Sequence, residues 1–329
     1  MLFINLLMTS TFISISSLTW ITAWIGLEIN LLTIMPLMKI SLNKHSSEAM
    51  MKYFITQALA STILLLSILI FYKNSQFLEN MINPSILINS SLMMKMGAAP
   101  FHFWLPEVST GLNWKMVFTL LTWQKIAPMI LLSYEFSNLY FLSMIIVSST
   151  IIGSFYGMNQ TCLRKIFTYS SINHTSWMIA SIFSSMDIWL YYFLIYTTIN
   201  FNIMIIFSSY KIFYTNQLNK LLSYNKTMKL LLMMNLLSLG GLPPFLGFLP
   251  KWLTINFMTM NNYYFISLIL IIFSLISLYF YIRISFPSLT LNHSESLMNL
   301  PKQKNNFFLF LNIINLMSLT LIFLMMNLI

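Results

Sequence analysis

Charged residues are scarce in this 329-residue sequence, in which Asp, Glu, Lys and Arg together make up 7% of the chain. A soluble domain carries roughly 25% charged residues. Apolar residues make up 58%, and they occur in repeated stretches of about 20, the length that crosses a hydrocarbon layer about 30 Å thick. The composition therefore excludes a soluble enzyme or binding module and predicts a protein embedded in lipid.

Cysteine and histidine are too few for a metal or redox centre. The chain has one cysteine, Cys162, and four scattered histidines. Neither a thiolate cluster nor the ligand spacing of a zinc or iron–sulfur site can be assembled from them, and an intrachain disulfide is excluded. A dinucleotide-binding fingerprint and a contiguous basic stripe are also absent. We therefore expect no cofactor and no metal bound by this chain, and no nucleic-acid partner.

Hydropathy predicts an all-α, polytopic integral membrane protein with about eleven transmembrane helices. No connecting stretch is long enough for a soluble domain, so we expect residues 1–329 to form a single membrane domain. The first stretch lacks a basic leader and a small-residue cleavage site, and we interpret it as a span. The predicted helices are 2–18, 21–40, 52–72, 84–104, 116–134, 139–157, 165–184, 188–209, 230–256, 263–284 and 306–328.

The distribution of loop charges predicts the orientation in the membrane. With the loops placed alternately on two sides, 13 lysines and arginines fall on the side of the amino terminus and only Lys73 on the other. The positive-inside rule makes the amino-terminal side the inner one. We therefore expect the amino terminus inside and the carboxyl terminus outside.

An internal repeat links two stretches rich in Gly and Pro. Residues 97–107 (GAAPFHFWLPE) and 241–251 (GLPPFLGFLPK) share five of eleven residues at an offset of 144. Gly and Pro interrupt helices and leave backbone groups without hydrogen-bond partners, which lipid cannot supply. Such breaks must therefore line protein or a water-filled cavity. The predicted helix breaks are at Gly97, Pro100, Gly240, Gly241, Pro243 and Pro244.

Paired breaks in two halves of a chain indicate a transporter built from structural repeats, which are often inverted. The first repeat covers about 2–134 and the second about 139–284, and 306–328 is left as an extra carboxyl-terminal helix. About five helices per repeat, an odd number, gives the two repeats opposite orientations in the membrane.

Four charged residues, Glu28, Lys95, Lys125 and Lys251, are predicted to lie at or near membrane depth. Each costs about 2.5–3.5 kcal/mol at the centre of a span, so they need a polar path or a partner. A lysine in a poorly hydrated site gives up its proton more easily, and a nearby carboxylate opposes this. A chain of lysines with a glutamate at one end therefore predicts a proton relay.

Less demanding interpretations exist for three of these four residues. The alternative role is a structural ion pair for Lys95, an anchor at the membrane interface for Lys251, and capping of a neighbour for Glu28. His174 is a candidate proton shuttle, since imidazole titrates near neutrality, or simply a hydrogen-bonding residue. For His102, in the first break, packing is the preferred interpretation, and Glu107 is expected at the inner interface.

Four motifs resemble the subunit 2 family of mitochondrial respiratory complex I. The members of this family are antiporter-like membrane subunits. They are WIGLEIN at 24–30, KMGAAPFHFWLPE at 95–107, TWQKIAP at 122–128 and LGGLPPFLGFLPKW at 239–252. The second and fourth together are the specific ones. The resemblance implies two inverted five-helix repeats, each with a discontinuous helix, and the short amino terminus of animal, insect-like members.

The resemblance also implies roles for single residues. Glu28 would be the acidic partner of Lys95, Lys125 the connecting central lysine, and Lys251 the terminal proton-exchanging residue, with His174 as a further member. It further implies other membrane-arm subunits and lipids as partners, and the mitochondrial inner membrane as location, with the amino terminus in the matrix and the carboxyl terminus in the intermembrane space. NADH, FMN, iron–sulfur clusters and ubiquinone would belong to the rest of the assembly.

The resemblance implies a function in proton translocation, driven by electron transfer from NADH to ubiquinone in other subunits. Two alternatives remain open from the sequence. A structural scaffold subunit of the same complex would tolerate neutral replacements at Lys95 and Lys125. A stand-alone cation/proton antiporter would be stable and active alone.

Overall fold

The computed structural model describes residues 2–39, 43–72, 84–136, 138–222 and 226–290. Within these ranges the secondary structure consists of helices and one isolated β-bridge, between Cys162 and Tyr214. The helices are α1 (Leu2–Ile15), α2 (Trp20–Met38), α3 (Lys44–Tyr72), α4 (Pro84–Met96), α5 (Trp104–Gly111), α6 (Trp114–Leu121), α7 (Trp123–Tyr134), α8 (Leu139–Met158), α9 (Leu163–Ser184), α10 (Met186–Tyr210), α11 (Thr215–Leu222), α12 (Lys226–Gly240), α13 (Phe248–Met260) and α14 (Tyr264–Thr290).

The predicted all-α membrane class is confirmed. Among the described residues, six helical stretches are long and apolar enough to cross a membrane. They are Trp20–Met38, Lys44–Tyr72, Trp114–Tyr134, Leu139–Met158, Met186–Tyr210 and Tyr264–Phe286. The predicted span 306–328 lies outside the described residues, as does Lys73, so the count of eleven stays a prediction.

Helix ends differ from the hydropathy prediction where a helix extends beyond its apolar stretch. The third helix begins at Lys44 instead of residue 52, and α14 continues to Thr290 instead of 284. The predicted loop 210–229 contains α11. Hydropathy locates the part of a helix that suits lipid, whereas a helix continues as long as its backbone hydrogen bonds do.

The chain divides into two compact units, Met1–Ser149 and Thr150–Ile329. In the first unit, α1 packs on α2, α2 on α3, α3 on α4 and α5, and α7 on α1, α4 and α6. In the second unit, α9 packs on α10, α13 and α14, and α12 on α10 and α14. Helix α9 is the most enclosed of these, with buried residues along nearly its whole length.

The first predicted break lies in the first unit, between α4 and α5. Helix α4 ends at Met96, and Gly97 adopts a left-handed conformation with φ of 72°. The amide of Gly97 donates to Met94 O at 3.2 Å, and the amide of Ala98 donates to Met93 O at 3.1 Å. These two bonds form a Schellman motif, which satisfies carbonyls at the end of the helix.

The second break, in the second unit, ends α12 with the same motif. Gly241 has a φ of 81°. Its amide donates to Ser238 O at 3.0 Å, and the amide of Leu242 donates to Leu237 O at 3.4 Å. The repeated sequence at an offset of 144 therefore encodes two helix ends with the same hydrogen-bond pattern. The left-handed conformation explains the glycine at both positions, since a Cβ is strongly disfavoured there.

A third interruption, at Thr122, was not predicted. The expected helix 116–134 is divided into α6 and α7 by this one residue, which has φ of −115° and ψ of −71°. The Oγ of Thr122 donates to Phe118 O at 2.7 Å, in addition to the amide of the same residue at 3.0 Å. A hydroxyl bonded back to the preceding turn bends a helix, and Pro128 removes a further amide donor from the same span.

A pair of adjacent glycines allows a test of the second break. Gly241→Ala should lower the free energy of unfolding by about 1–2 kcal/mol, because a Cβ opposes the left-handed conformation, and that Cβ would also lie 2.9 Å from Lys251 Nζ. Gly240→Ala should be neutral or stabilising, since its Cβ would meet nothing closer than Leu278 at 3.4 Å. Pulse proteolysis of the protein in its native membrane on a heating series measures the difference. An equal loss of stability in both variants would contradict the requirement for a left-handed glycine at position 241.

Candidate functional site

Glu28 and Lys95 form an ion pair in the first unit. Glu28 lies on α2 and Lys95 in the last turn of α4, with 4.0 Å between Lys95 Nζ and Glu28 Oε1. The Lys95 side chain is 5% exposed and that of Glu28 is 27% exposed. The separation is longer than a direct hydrogen bond. The carboxylate thus stabilises the ammonium form of a buried lysine.

Lys125 is the most enclosed of the candidate lysines. It lies in the first turn of α7, directly after the interruption at Thr122, and it is 1% exposed. Its neighbour Gln124 donates from Nε2 to Asn30 Oδ1 at 2.9 Å, and the Tyr53 hydroxyl donates to Gln124 Oε1 at 3.5 Å. Polar side chains therefore connect the helix that carries Lys125 to the helix that carries Glu28.

At the break between α4 and α5, neutral side chains donate hydrogen bonds to backbone carbonyl groups. Carbonyl groups near the end of α4 and in the break accept hydrogen bonds from three side chains of the same unit. The donors are Trp104 Nε1 to Met94 O at 3.1 Å, Gln57 Nε2 to Lys95 O at 3.4 Å, and Ser148 Oγ to Ala99 O at 3.1 Å. The backbone of Lys95 is thus part of the first break, while its ammonium group pairs with Glu28.

Lys251 lies at the second break in a different arrangement. It belongs to the first turn of α13 and is 6% exposed. Its Nζ donates to Gly240 O, the carbonyl of the last residue of α12, at 2.9 Å. The same Nζ lies 5.7 Å from the ring centroid of Trp177 on α9. The lysine therefore supplies at the second break the donor that neutral side chains supply at the first.

His174 lies on α9, three residues before Trp177, and is buried. Its Nδ1 is 2.8 Å from the hydroxyl of Tyr192, and its ring centroid is 5.0 Å from that of Tyr196. Either partner of the His174–Tyr192 bond can act as donor, depending on the imidazole tautomer. This arrangement is able to pass a proton between an imidazole and a phenol.

His102 contacts its own break, and Glu107 lies in an exposed ion pair. The Nδ1 of His102 lies 3.3 Å from Pro100 O, and its ring packs on Phe103 at 4.3 Å between centroids. Glu107 pairs with Lys52 at 2.7 Å, and both side chains are more than half exposed. An exposed pair of this kind contributes little, because water screens both charges.

Sequence reasoning missed several residues that surround the candidate lysines. Asn30 and Gln124 stood within the quoted motifs, and a polar residue in a predicted span was a usable signal for both. Tyr192 and Trp177 had no such signal, since aromatic residues make up 16% of the chain and most have no special role. Only the packing of α9 against α10 and α13 singles them out.

The part of the chain that the structure describes contains no group of three or more His, Cys, Asp or Glu residues able to hold a metal ion. Its single cysteine, Cys162, cannot provide the four thiolates of an iron–sulfur cluster. The donor set of this chain therefore does not fit such a cluster.

Residues 17–277 match the membrane family described as NADH:quinone oxidoreductase/Mrp antiporter. The chain is 46% identical to NADH-ubiquinone oxidoreductase chain 2 of Anopheles gambiae, over 99% of this chain and 98% of that one. It is also 46% identical to the protein of the same name from Locusta migratoria, over 90% and 87%. Among solved structures, a chain of respiratory complex I from Thermus thermophilus with bound aureothin has a TM-score of 0.85 at 21% identity, over 97% of this chain and 77% of that one.

Glu28 and Glu107, which each pair with a lysine, allow a matched comparison. Glu28→Gln should lower the midpoint of thermal unfolding, because the buried Lys95 ammonium loses the opposite charge 4.0 Å away. Glu107→Gln removes the same charge from an exposed pair and should have little effect. Both midpoints are measured by pulse proteolysis of the protein in its native membrane. A larger loss from Glu107→Gln would contradict this account of the pair.

Proposed function

Because the chain belongs to the NADH-ubiquinone oxidoreductase chain 2 family, we propose that it carries protons across the mitochondrial inner membrane through a buried relay of Glu28, Lys95, Lys125 and Lys251. The chain is an antiporter-like membrane subunit of complex I and a multi-pass mitochondrial membrane protein, and other membrane-arm subunits are its partners. His174 is a further candidate member of the relay.

The burial of three lysines is the observation that supports this proposal most directly. Lys95, Lys125 and Lys251 are each at most 7% exposed in a chain with very few charges. A charged group at membrane depth costs several kcal/mol, so such residues are uncommon and mark ion or proton pathways. Three lysines placed in this way need a reason beyond packing.

The two units provide different environments for a proton. In the first, a carboxylate beside Lys95 favours the ammonium form, whereas burial favours the neutral amine. Transfer of the proton away from this pair changes the charge that the next titratable group experiences, so that titrations in a relay are coupled. A change of charge at one group can in this way promote release or uptake at another.

The energy for this transport comes from other subunits. Each charge moved outward works against about 2.3 kcal/mol per 100 mV of membrane potential. Electron transfer from NADH to ubiquinone, through FMN and iron–sulfur clusters held elsewhere in the assembly, supplies it. The proposal places the amino terminus in the matrix and the carboxyl terminus in the intermembrane space, as the loop charges predict.

The scaffold role is the competing function. Relatives that share almost the full length of the chain carry the name of a complex I chain, which argues against a stand-alone antiporter. A scaffold subunit would fill space between pumping modules, and neutral residues would serve it as well as buried lysines do.

The variant Lys125→Met distinguishes the relay function from the scaffold function. In complex I reconstituted in sealed vesicles, protons pumped per NADH oxidised should fall at least twofold, because Met fills a similar volume and cannot hold a proton. Lys115→Met is the matched control, since Lys115 belongs to the same span and is exposed, and this variant should pump normally. Assembly is checked by native electrophoresis. Normal pumping with Lys125→Met in an intact complex would leave the scaffold as the better account.

A further inference from the structure

Among the described residues, the ammonium group of Lys251 has no carboxylate partner. In the described part of the chain, no Asp or Glu oxygen lies within 4.0 Å of Lys251 Nζ, whereas Lys95 has Glu28 at that distance. The contacts of Lys251 Nζ are Gly240 O at 2.9 Å and the face of Trp177 at 5.7 Å. A lysine that is 6% exposed therefore depends on neutral groups.

The first neutral partner is the carboxyl end of α12. The last carbonyl groups of a helix carry a partial negative charge of about half an elementary charge, which favours a nearby cation. The Schellman motif occupies Leu237 O and Ser238 O with backbone amides, and Gly240 O is left to accept from Lys251. The break thus presents one backbone carbonyl to one ammonium group.

The second neutral partner is the indole of Trp177. A cation within about 6 Å of the centroid of an aromatic ring is attracted by the negative face of the ring, and tryptophan attracts it most strongly. Trp177 is 1% exposed on α9, and its Nε1 has no hydrogen-bond partner in the described structure. Its contact with Lys251 is therefore made by the ring face alone.

We infer that Trp177 is the positioning residue of Lys251: its indole face and the carbonyl end of α12 together hold the ammonium group at the second break in place of a carboxylate. The inference rests on the proposed function, in which Lys251 exchanges protons. Neutral partners stabilise the charged lysine enough to keep it at the break. Unlike a carboxylate, these partners carry no full negative charge that opposes release of the proton.

The alternative is that Trp177 only fills space, and Trp189 provides the control for it. Trp189 lies on α10 in the same unit, is 4% exposed, and also has an Nε1 without a partner among the described residues. Its aromatic contact is the stacked ring of Phe193 at 5.6 Å. Replacement of either tryptophan by leucine removes a similar buried volume, but of the two only Trp177 faces a lysine among the described residues.

The test compares Trp177→Leu, Trp177→Phe, Trp189→Leu and Lys251→Met in assembled complex I reconstituted in sealed vesicles. Protons pumped per NADH oxidised should fall at least twofold with Trp177→Leu and should stay near wild type with Trp189→Leu. Trp177→Phe keeps an aromatic face and should recover at least half of the loss. If Trp177→Leu does not assemble, Trp177→Met takes its place, since its longer unbranched chain fills more of the space.

The outcomes separate this inference from the proposed function. Equal pumping by the Trp177→Leu and Trp189→Leu complexes, with pumping lost in Lys251→Met, would overturn the role of Trp177 and leave the relay intact. Failure of Trp177→Phe to recover more than Trp177→Leu would overturn the role of the ring face. Normal pumping by Lys251→Met would overturn the proton-exchanging role of Lys251, and the inference with it.

Discussion

A helix that is interrupted at membrane depth must find protein partners for the backbone groups that the interruption frees, because lipid offers none. This constraint governs the region around each candidate lysine at a break. Gly97 and Gly241 end their helices in the same left-handed conformation, and the same pair of backbone bonds follows each. What differs is the set of side chains that satisfy the remaining carbonyl groups.

That difference changes the surroundings of the lysines. At the first break, Trp104, Gln57 and Ser148 donate to the carbonyl groups, so Lys95 is free to direct its charge toward Glu28. At the second break, Lys251 itself donates to the helix end. One repeated motif therefore supports an ion pair in one unit and a lysine held by a carbonyl and an aromatic ring in the other. For the proposed relay, this distinction concerns how firmly each lysine keeps its charge.

Much of the site could be predicted from the sequence because charge and helix-breaking residues are rare in a membrane span. Glu28, Lys95, Lys125 and Lys251 stood out against apolar surroundings, and the breaks followed from Gly and Pro at a fixed offset. The structure places all three lysines in buried positions. The interruption at Thr122 escaped prediction, since threonine also lies within uninterrupted helices of this chain, as Thr56 does in α3.

The sequence by itself determined the membrane class, the positions of the two breaks and the identity of the buried charges, since each follows from composition or from local backbone preference. Only the tertiary structure decided which groups surround each charge. The pairing of Lys95 with Glu28 and the contact of Trp177 with Lys251 join residues 67 and 74 positions apart in the chain. Such contacts depend on how α2 lies by α4 and α9 by α13, and helical periodicity within one segment carries no information about its neighbours.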